Sequence, residues 1–174
     1  VQEEEQVKIT KPKIGIMVEV PSVLLQIDEF APLVDFFSVG SNDLTQYLLA
    51  VDRNNPRVAN VYSHFHPAVL RALTCLVKEC HKYDKPVSIC GEMAGDPLSA
   101  VILMAMGFNT LSMSSSNILR VRKAICHVPM TDAQELLHHV LQLNNPLLVK
   151  SWLEHYFRTH GLADMVKTNR LISI

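Results

Sequence analysis

Residues 34–43 read Val34-Asp35-Phe36-Phe37-Ser38-Val39-Gly40-Ser41-Asn42-Asp43, a short apolar run that ends at a glycine and passes directly into polar residues. A helical stretch through Leu49 follows. An apolar run of this length predicts a buried β-strand, and the polar residues after it mark the turn into a helix. The segment is therefore one strand–turn–helix unit.

The same unit occurs three more times. Apolar runs at 14–18, 86–90 and 110–113 are each followed by a polar residue or turn and a predicted helix: from Pro21 to about Phe30, from Pro97 to Met106, and through about Cys126. Alternation of this kind requires parallel strands that are joined by crossover helices, which makes the chain an α/β protein. Four units are half of an eight-stranded (β/α)8 (TIM) barrel, which typically needs around 250 residues. A small, complete, doubly wound sheet fits the periodicity equally well.

The 174 residues divide into three predicted regions. Residues 1–13 are polar and predict a tail or the end of a truncated preceding element, residues 14–127 hold the four units, and residues 128–174 form a helical extension. The extension contains predicted helices at 133–143 and 146–160, and Gly161 is the expected stop. Because the sequence does not start with Met, we expect it to be part of a longer chain.

Composition excludes several classes of protein. The formal net charge is −1, so no excess of positive charge favours nucleic acid or an anionic membrane. No apolar run approaches the roughly 18 residues that span a bilayer. The four cysteines show no C-x-x-C spacing, which suits a reducing cytoplasm better than a disulfide framework. We therefore expect a cytoplasmic domain.

Polar residues follow each predicted strand. Glu19 comes after the first strand and Asp43 after the second, and the carboxyl ends of parallel strands share the face where α/β proteins bind ligands. Mg²⁺ is commonly held by one or two carboxylates together with substrate phosphate and water, so these two side chains could bind one ion. The alternative is that each carboxylate caps a helix or accepts loop N–H groups.

Other polar residues suit an anionic substrate. The turn 40–43 leads into a helix N-terminus, where free N–H groups and the helix dipole favour an anion. Arg53 could clamp a phosphate with its planar guanidinium, or could instead form a surface ion pair with Asp52. Cys90 could donate a proton or act as a nucleophile, or could simply be a small buried side chain.

Five strings carry a family resemblance, in this order and spacing: 15–21, 36–47, 50–53, 66–70 (His-Pro-Ala-Val-Leu) and 90–96 (Cys-Gly-Glu-Met-Ala-Gly-Asp). With them, residues 14–122 resemble the C-terminal, phosphoenolpyruvate (PEP)-binding TIM barrel of Enzyme I of the bacterial phosphotransferase system, the PEP-protein phosphotransferases. The tail, with residues 153–157 and Gly161-Leu162, is more similar to the nitrogen-related paralogue.

The resemblance implies a site at the C-terminal strand ends. Glu19 and Asp43 would bind Mg²⁺, and Asn42, Asp43 and Arg53 would bind the phosphate of PEP. Cys90 would be the acid that protonates the enolate of pyruvate. These roles fit the chemistry, because phosphoryl transfer depends on positioning and charge neutralisation, and the enolate must be protonated at carbon.

The resemblance also implies a longer protein. In the family the phosphoryl group passes from PEP to a histidine in another domain and then to a histidine-containing phosphocarrier protein, and further substrate-binding arginines lie on earlier strands. We therefore expect this chain alone to be incompetent in phosphotransfer. We also expect a homodimer, since a half barrel exposes strand edges. Two alternatives are the barrel of pyruvate phosphate dikinase or PEP synthase, and a non-catalytic module that senses PEP.

Overall fold

The computed structural model describes residues 10–166, which form four strands and seven α-helices. The strands are β1 (Gly15–Val18), β2 (Phe36–Gly40), β3 (Val87–Cys90) and β4 (Thr110–Ser112). The helices are α1 (Ile27–Phe30), α2 (Ser41–Leu49), α3 (Pro67–Lys82), α4 (Pro97–Met106), α5 (Ser115–His127), α6 (Met130–Gln142) and α7 (Pro146–Thr159).

The four strands form one parallel sheet in the order β1-β2-β3-β4. Because the spatial order equals the chain order, and crossovers are almost always right-handed, every crossover helix lies on the same face of the sheet. A doubly wound sheet reverses its strand order at a switch point, and this sheet does not. The doubly wound alternative is therefore wrong, and the sheet has the topology of a partial barrel.

The burial of the strand residues shows the same asymmetry. Val18, Phe37, Val39 and Ile89 point towards the helices and are fully buried. A row on the opposite face, which the register aligns as Met17, Ser38, Ser88 and Thr110, is half-buried or exposed. The sheet thus has one face packed against helices and one open face.

The helices and the covered face of the sheet share one hydrophobic core. The helix α4 lies at its centre, packs against α5, α6 and α7, and is buried along nearly its whole length. Pro97 at its first turn and Gly107 in a left-handed conformation just after it define its two ends. The C-terminal helices α6 and α7 thus contribute to the same core as the strand–helix units.

The largest departure from the sequence prediction lies between β1 and β2. In place of one helix after Pro21, the chain forms a 3-10 turn (Pro21–Leu25), the single turn α1 and a second 3-10 turn (Ala31–Leu33). The backbone leaves the helical conformation at Gln26, where φ is −133° and ψ is 21°. Few side chains here are buried, so tertiary packing does not enforce a longer helix.

Two sequence predictions concern the ends of the chain. The polar tail predicted for residues 1–13 lies mostly outside the described residues, and 10–13 have no regular structure. After α7, Gly161 has a φ of 77°, the left-handed conformation expected of a glycine at a helix stop. Among the described residues, no helix has both the length and the apolar character that a membrane crossing requires.

Candidate active site

The strand register places two of the predicted site residues, Glu19 and Cys90, in one row. Val18 pairs with Val39 and Gly40 pairs with Cys90, so Glu19, which follows Val18, lies next to Gly40 at the same level. Cys90 in turn pairs with Ser112. The C-terminal ends of all four strands therefore meet along one edge of the sheet, as the sequence predicted.

Glu19 extends across Gly40. A Cβ atom added at Gly40 would lie 2.7 Å from Cγ and 2.9 Å from Oε1 of Glu19. Since real Cβ contacts are essentially never that short, the carboxylate needs a glycine at this position to lie where it does. The absent side chain of Gly40 thus lets the Glu19 carboxylate reach the residue that precedes helix α2.

Helix α2 begins at this edge without a side-chain cap. Gly40 occupies the cap position, and the first turn carries Asp43, which is half-buried. The 3-10 turn after β1 also has no side-chain cap. The interpretation of Asp43 and Glu19 as helix caps is therefore wrong. Glu19 lies at the strand-end edge against Gly40, and Asp43 lies in the first turn of the helix that begins there.

The turn after β3 packs directly on the start of α2. The Ser41 hydroxyl donates to the carbonyl oxygen of Cys90 at 2.6 Å, and the N–H of Glu92 donates to Asn42 Oδ1 at 3.4 Å. Gly91 makes this approach possible, because its φ is 101° and a Cβ there would overlap the Ser41 hydroxyl. With Oδ1 engaged, the Asn42 amide group has no partner for its N–H bonds among residues 10–166.

Cys90 is half-buried at the end of β3, on the open face of the sheet. Its Sγ donates a weak hydrogen bond to the carbonyl oxygen of Val39, at 3.5 Å. Cys80, by contrast, lies in the core, where burial raises the pKa of its thiol to about 12. Of these two thiols, only that of Cys90 lies at the strand-end edge, which agrees with the sequence-based choice.

Arg53 lies in the long segment between α2 and α3 and is held close to α2. Its backbone N–H donates to Gln46 Oε1 at 3.2 Å, and its guanidinium interacts with the phenol of Tyr62. Asp52 accepts a hydrogen bond from the N–H of Asn54, and among the described residues no ion pair joins Asp52 to Arg53. The surface ion-pair alternative is therefore wrong.

Tyr62 is the residue that sequence reasoning missed. Its hydroxyl donates to the carbonyl oxygen of Asn42 at 3.3 Å, and the buried Thr45 hydroxyl approaches the same phenol. Burial raises the pKa of Tyr62, and the positive charge of Arg53 opposes that shift. Nothing in the local sequence indicates these contacts beyond an aromatic residue in a polar loop.

The donor set of this edge fits a hard cation. Among the described residues no cluster of three or more His, Cys, Asp or Glu side chains could hold a metal by itself. Two carboxylates, Glu19 and Asp43, are nevertheless what Mg²⁺ usually takes from a protein, with water and substrate phosphate completing its octahedron. A tetrahedral zinc site would need three or four protein ligands.

A wide groove lies elsewhere in the described part of the chain. About 950 Å³ in volume, it runs between α6 and α7, and it is lined in part by His139 and Trp152, whose rings stack at 3.9 Å. It shares no residue with the strand-end edge. That edge is not an enclosed cavity because it opens onto the uncovered face of the sheet.

Comparison with known proteins agrees with this geometry. The family described as "PEP-utilising enzyme, PEP-binding domain" matches residues 1–130. The chain is 42% identical over 159 residues to a protein of Salmonella typhimurium named "Phosphoenolpyruvate-dependent phosphotransferase system", covering 91% of the chain and 21% of that protein.

Two other relatives carry the name "Phosphoenolpyruvate-protein phosphotransferase". The protein from Geobacillus stearothermophilus is 41% identical over 151 residues, which is 87% of the chain and 26% of that protein. The protein from Haloferax volcanii is 44% identical over 131 residues, which is 75% of the chain and 23% of that protein. The chain thus spans about a fifth to a quarter of the length of these curated relatives.

Proposed function

The chain belongs to the family of PEP-utilising enzymes, in their PEP-binding domain, and we propose that it supplies half of the PEP site of a PEP-protein phosphotransferase. The complete protein would transfer the phosphoryl group of PEP to a histidine in another domain and then to a phosphocarrier protein, releasing pyruvate. The observation that carries the proposal is the strand register, which brings Glu19, Gly40 and Cys90 into one row beside the start of α2.

The phosphate of PEP would bind at the N-terminus of α2. The N–H groups of Asn42 and Asp43, together with the Asn42 amide, present donors where the helix dipole already favours negative charge. Arg53 would add a cation that approaches from the loop beyond α2. Donors and charges that are held in place before the reaction stabilise a transferring phosphoryl group without further reorganisation.

Mg²⁺, when bound, would neutralise negative charge on the substrate, and Glu19 and Asp43 would hold it. Two observations favour Glu19 and Asp43 as ligands of Mg²⁺. Neither carboxylate caps a helix, and Glu19 lies over a glycine, Gly40, that leaves room for its side chain.

Cys90 would complete the reaction at carbon. When the P–O bond breaks, the enolate of pyruvate remains, and its methylene carbon takes the proton from Sγ to give pyruvate and a thiolate. Water then returns a proton to the thiolate. A positioned proton donor of this kind typically contributes a factor of about 10² to 10⁴ in rate.

The remaining parts of the proposal concern the complete protein. We assign residues 14–127 to the C-terminal half of the barrel and 128–174 to a helical extension. We also propose a cytoplasmic homodimer of the nitrogen-related branch, with a histidine-containing phosphocarrier as partner. Sedimentation of the complete protein at micromolar concentration tests the dimer, and a monomer would contradict it.

A calorimetric titration with PEP, with and without Mg²⁺, tests the site. We expect Mg²⁺-dependent binding by the complete natural protein that carries this chain, and loss of binding in Asp43→Asn. The matched control is Asp28→Asn, which changes an exposed carboxylate on α1 and should bind like the wild type. The same affinity in Asp43→Asn and in the control would contradict the metal assignment.

Proton exchange tests Cys90 separately. In deuterated buffer with Mg²⁺, the wild type should exchange the methyl protons of pyruvate, and Cys90→Ala should lose this exchange while retaining PEP binding. Exchange at the wild-type rate in Cys90→Ala would contradict the assigned acid. PEP binding without exchange in the wild type would favour the regulatory alternative.

A further inference from the structure

The phenol of Tyr62 joins two parts of the proposed phosphate site. Its hydroxyl donates to the carbonyl oxygen of Asn42, and it interacts with the guanidinium of Arg53. From this arrangement we propose that Tyr62 is a positioning residue, which orients Arg53 towards the phosphate of PEP. The inference rests on the proposed function.

The phenol of Tyr62 lies between a hydrogen-bond acceptor and a cation. A guanidinium can only donate and a carbonyl oxygen can only accept, whereas a phenol does both. The proton of the Tyr62 hydroxyl goes to the carbonyl oxygen of Asn42 at 3.3 Å, which leaves the lone pairs of the phenolic oxygen to face the guanidinium of Arg53.

The loop explains why Arg53 needs this support. The segment between α2 and α3 consists of turns rather than regular structure, and the backbone of Arg53 is held to α2 through Gln46. That bond leaves the long side chain free to rotate, and fixing such a side chain costs conformational entropy on binding. A half-buried tyrosine, with two rotatable bonds before its ring, is a stiffer support than another long polar side chain.

The surroundings of the phenol suit this role. The buried hydroxyl of Thr45 approaches it from α2, and the carboxylate of Glu92, from the turn after β3, acts on it electrostatically. Glu92 also donates its backbone N–H to Asn42. Tyr62 therefore lies where the three segments of the proposed site meet: the start of α2, the Arg53 loop and the turn after β3.

The experiment is a double-mutant cycle in the complete natural protein that carries these residues. We would measure kcat and KM for PEP, with saturating Mg²⁺, in the wild type, Tyr62→Phe, Arg53→Ala and the double variant. The matched control is Tyr47→Phe, which removes the hydroxyl of an exposed tyrosine on α2.

We expect Tyr62→Phe to raise the KM for PEP about five- to tenfold, the size of one typical hydrogen bond, with kcat within about twofold. Tyr47→Phe should behave like the wild type. In the Arg53→Ala background, Tyr62→Phe should change KM by less than about twofold, because the side chain that it orients is gone.

Two results would overturn the inference while leaving the proposed function intact. One is an unchanged KM in Tyr62→Phe, and the other is the same fold-increase in both backgrounds, which would indicate a general structural role. Failure of the proposed function would look different, because the wild type itself would then show no Mg²⁺-dependent turnover of PEP.

Discussion

Replacing Gly91 by alanine should destabilise the chain through two separate effects. At a φ of 101°, a residue with a Cβ is strained by about 1–2 kcal/mol. The added methyl group would also overlap the Ser41 hydroxyl and displace it from the carbonyl of Cys90. Losing that part-buried hydrogen bond costs about 1 kcal/mol more, so we expect a total loss of about 2–3 kcal/mol in the free energy of unfolding.

Gly161 provides the matched control. Its φ of 77° imposes similar backbone strain, but the nearest atom to a new Cβ would be His127 Nε2 at 3.6 Å, an ordinary contact. Gly161→Ala should therefore be destabilised by the backbone strain alone, about 1–2 kcal/mol. Urea unfolding of both variants and the wild type, followed by circular dichroism, gives the comparison. Equal losses in the two variants would refute the argument that the turn after β3 is packed on Ser41.

Three further predictions test other parts of the structure. Gly40→Ala should displace the Glu19 carboxylate and weaken Mg²⁺-dependent PEP binding at least about tenfold in calorimetry. The free energy of unfolding should change by less than about 1 kcal/mol, because φ at Gly40 is −81° and the flexible Glu19 side chain can move. Undiminished binding would contradict the assignment of Glu19 as a metal ligand. Burial raises the pKa of Cys80 to about 12, so iodoacetamide at about pH 8 should modify the exposed Cys75 and Cys126 and leave Cys80 unmodified. Equal labelling of the three cysteines in mass spectrometry would contradict the burial of Cys80. The hydrogen bond from Tyr156, and a second one from Thr131, lower the pKa of Asp132. Asp132 therefore contributes stability above its ordinary pKa of 3.8 that is lost as the pH falls through the lowered value. Tyr156→Phe should reduce this acid-dependent loss in pH-dependent unfolding curves, and a curve parallel to that of the wild type would contradict it.

The strands and most helices were predictable because their signals are local. The helix α4 begins at Pro97 and ends at Met106 in both prediction and structure, since a proline at the first turn and a glycine after the last residue define its ends. The region between β1 and β2 was mispredicted. There, the backbone leaves the helical conformation at Gln26, and little buried surface is available to stabilise a longer helix.

The candidate site divides in the same way. Glu19, Asn42, Asp43, Arg53 and Cys90 were predicted because they follow strands or match family strings. Their structural alternatives, capping for the carboxylates and an ion pair for Arg53, could be excluded only from the folded chain. Tyr62 was missed, because its contacts join residues 20 positions apart in sequence.

The sequence by itself determined the parallel α/β class, the polar residues at the strand ends and the family resemblance, because apolar periodicity and turn residues act over a few positions. Only the tertiary structure decided that the crossover helices lie on one face, that Glu19 passes over Gly40, and that Gly91 and Tyr62 hold the start of α2. The physical reason is that strand order and these side-chain contacts depend on packing and hydrogen bonds between segments distant in the chain, whereas a local pattern specifies only the type of element and the face that it buries.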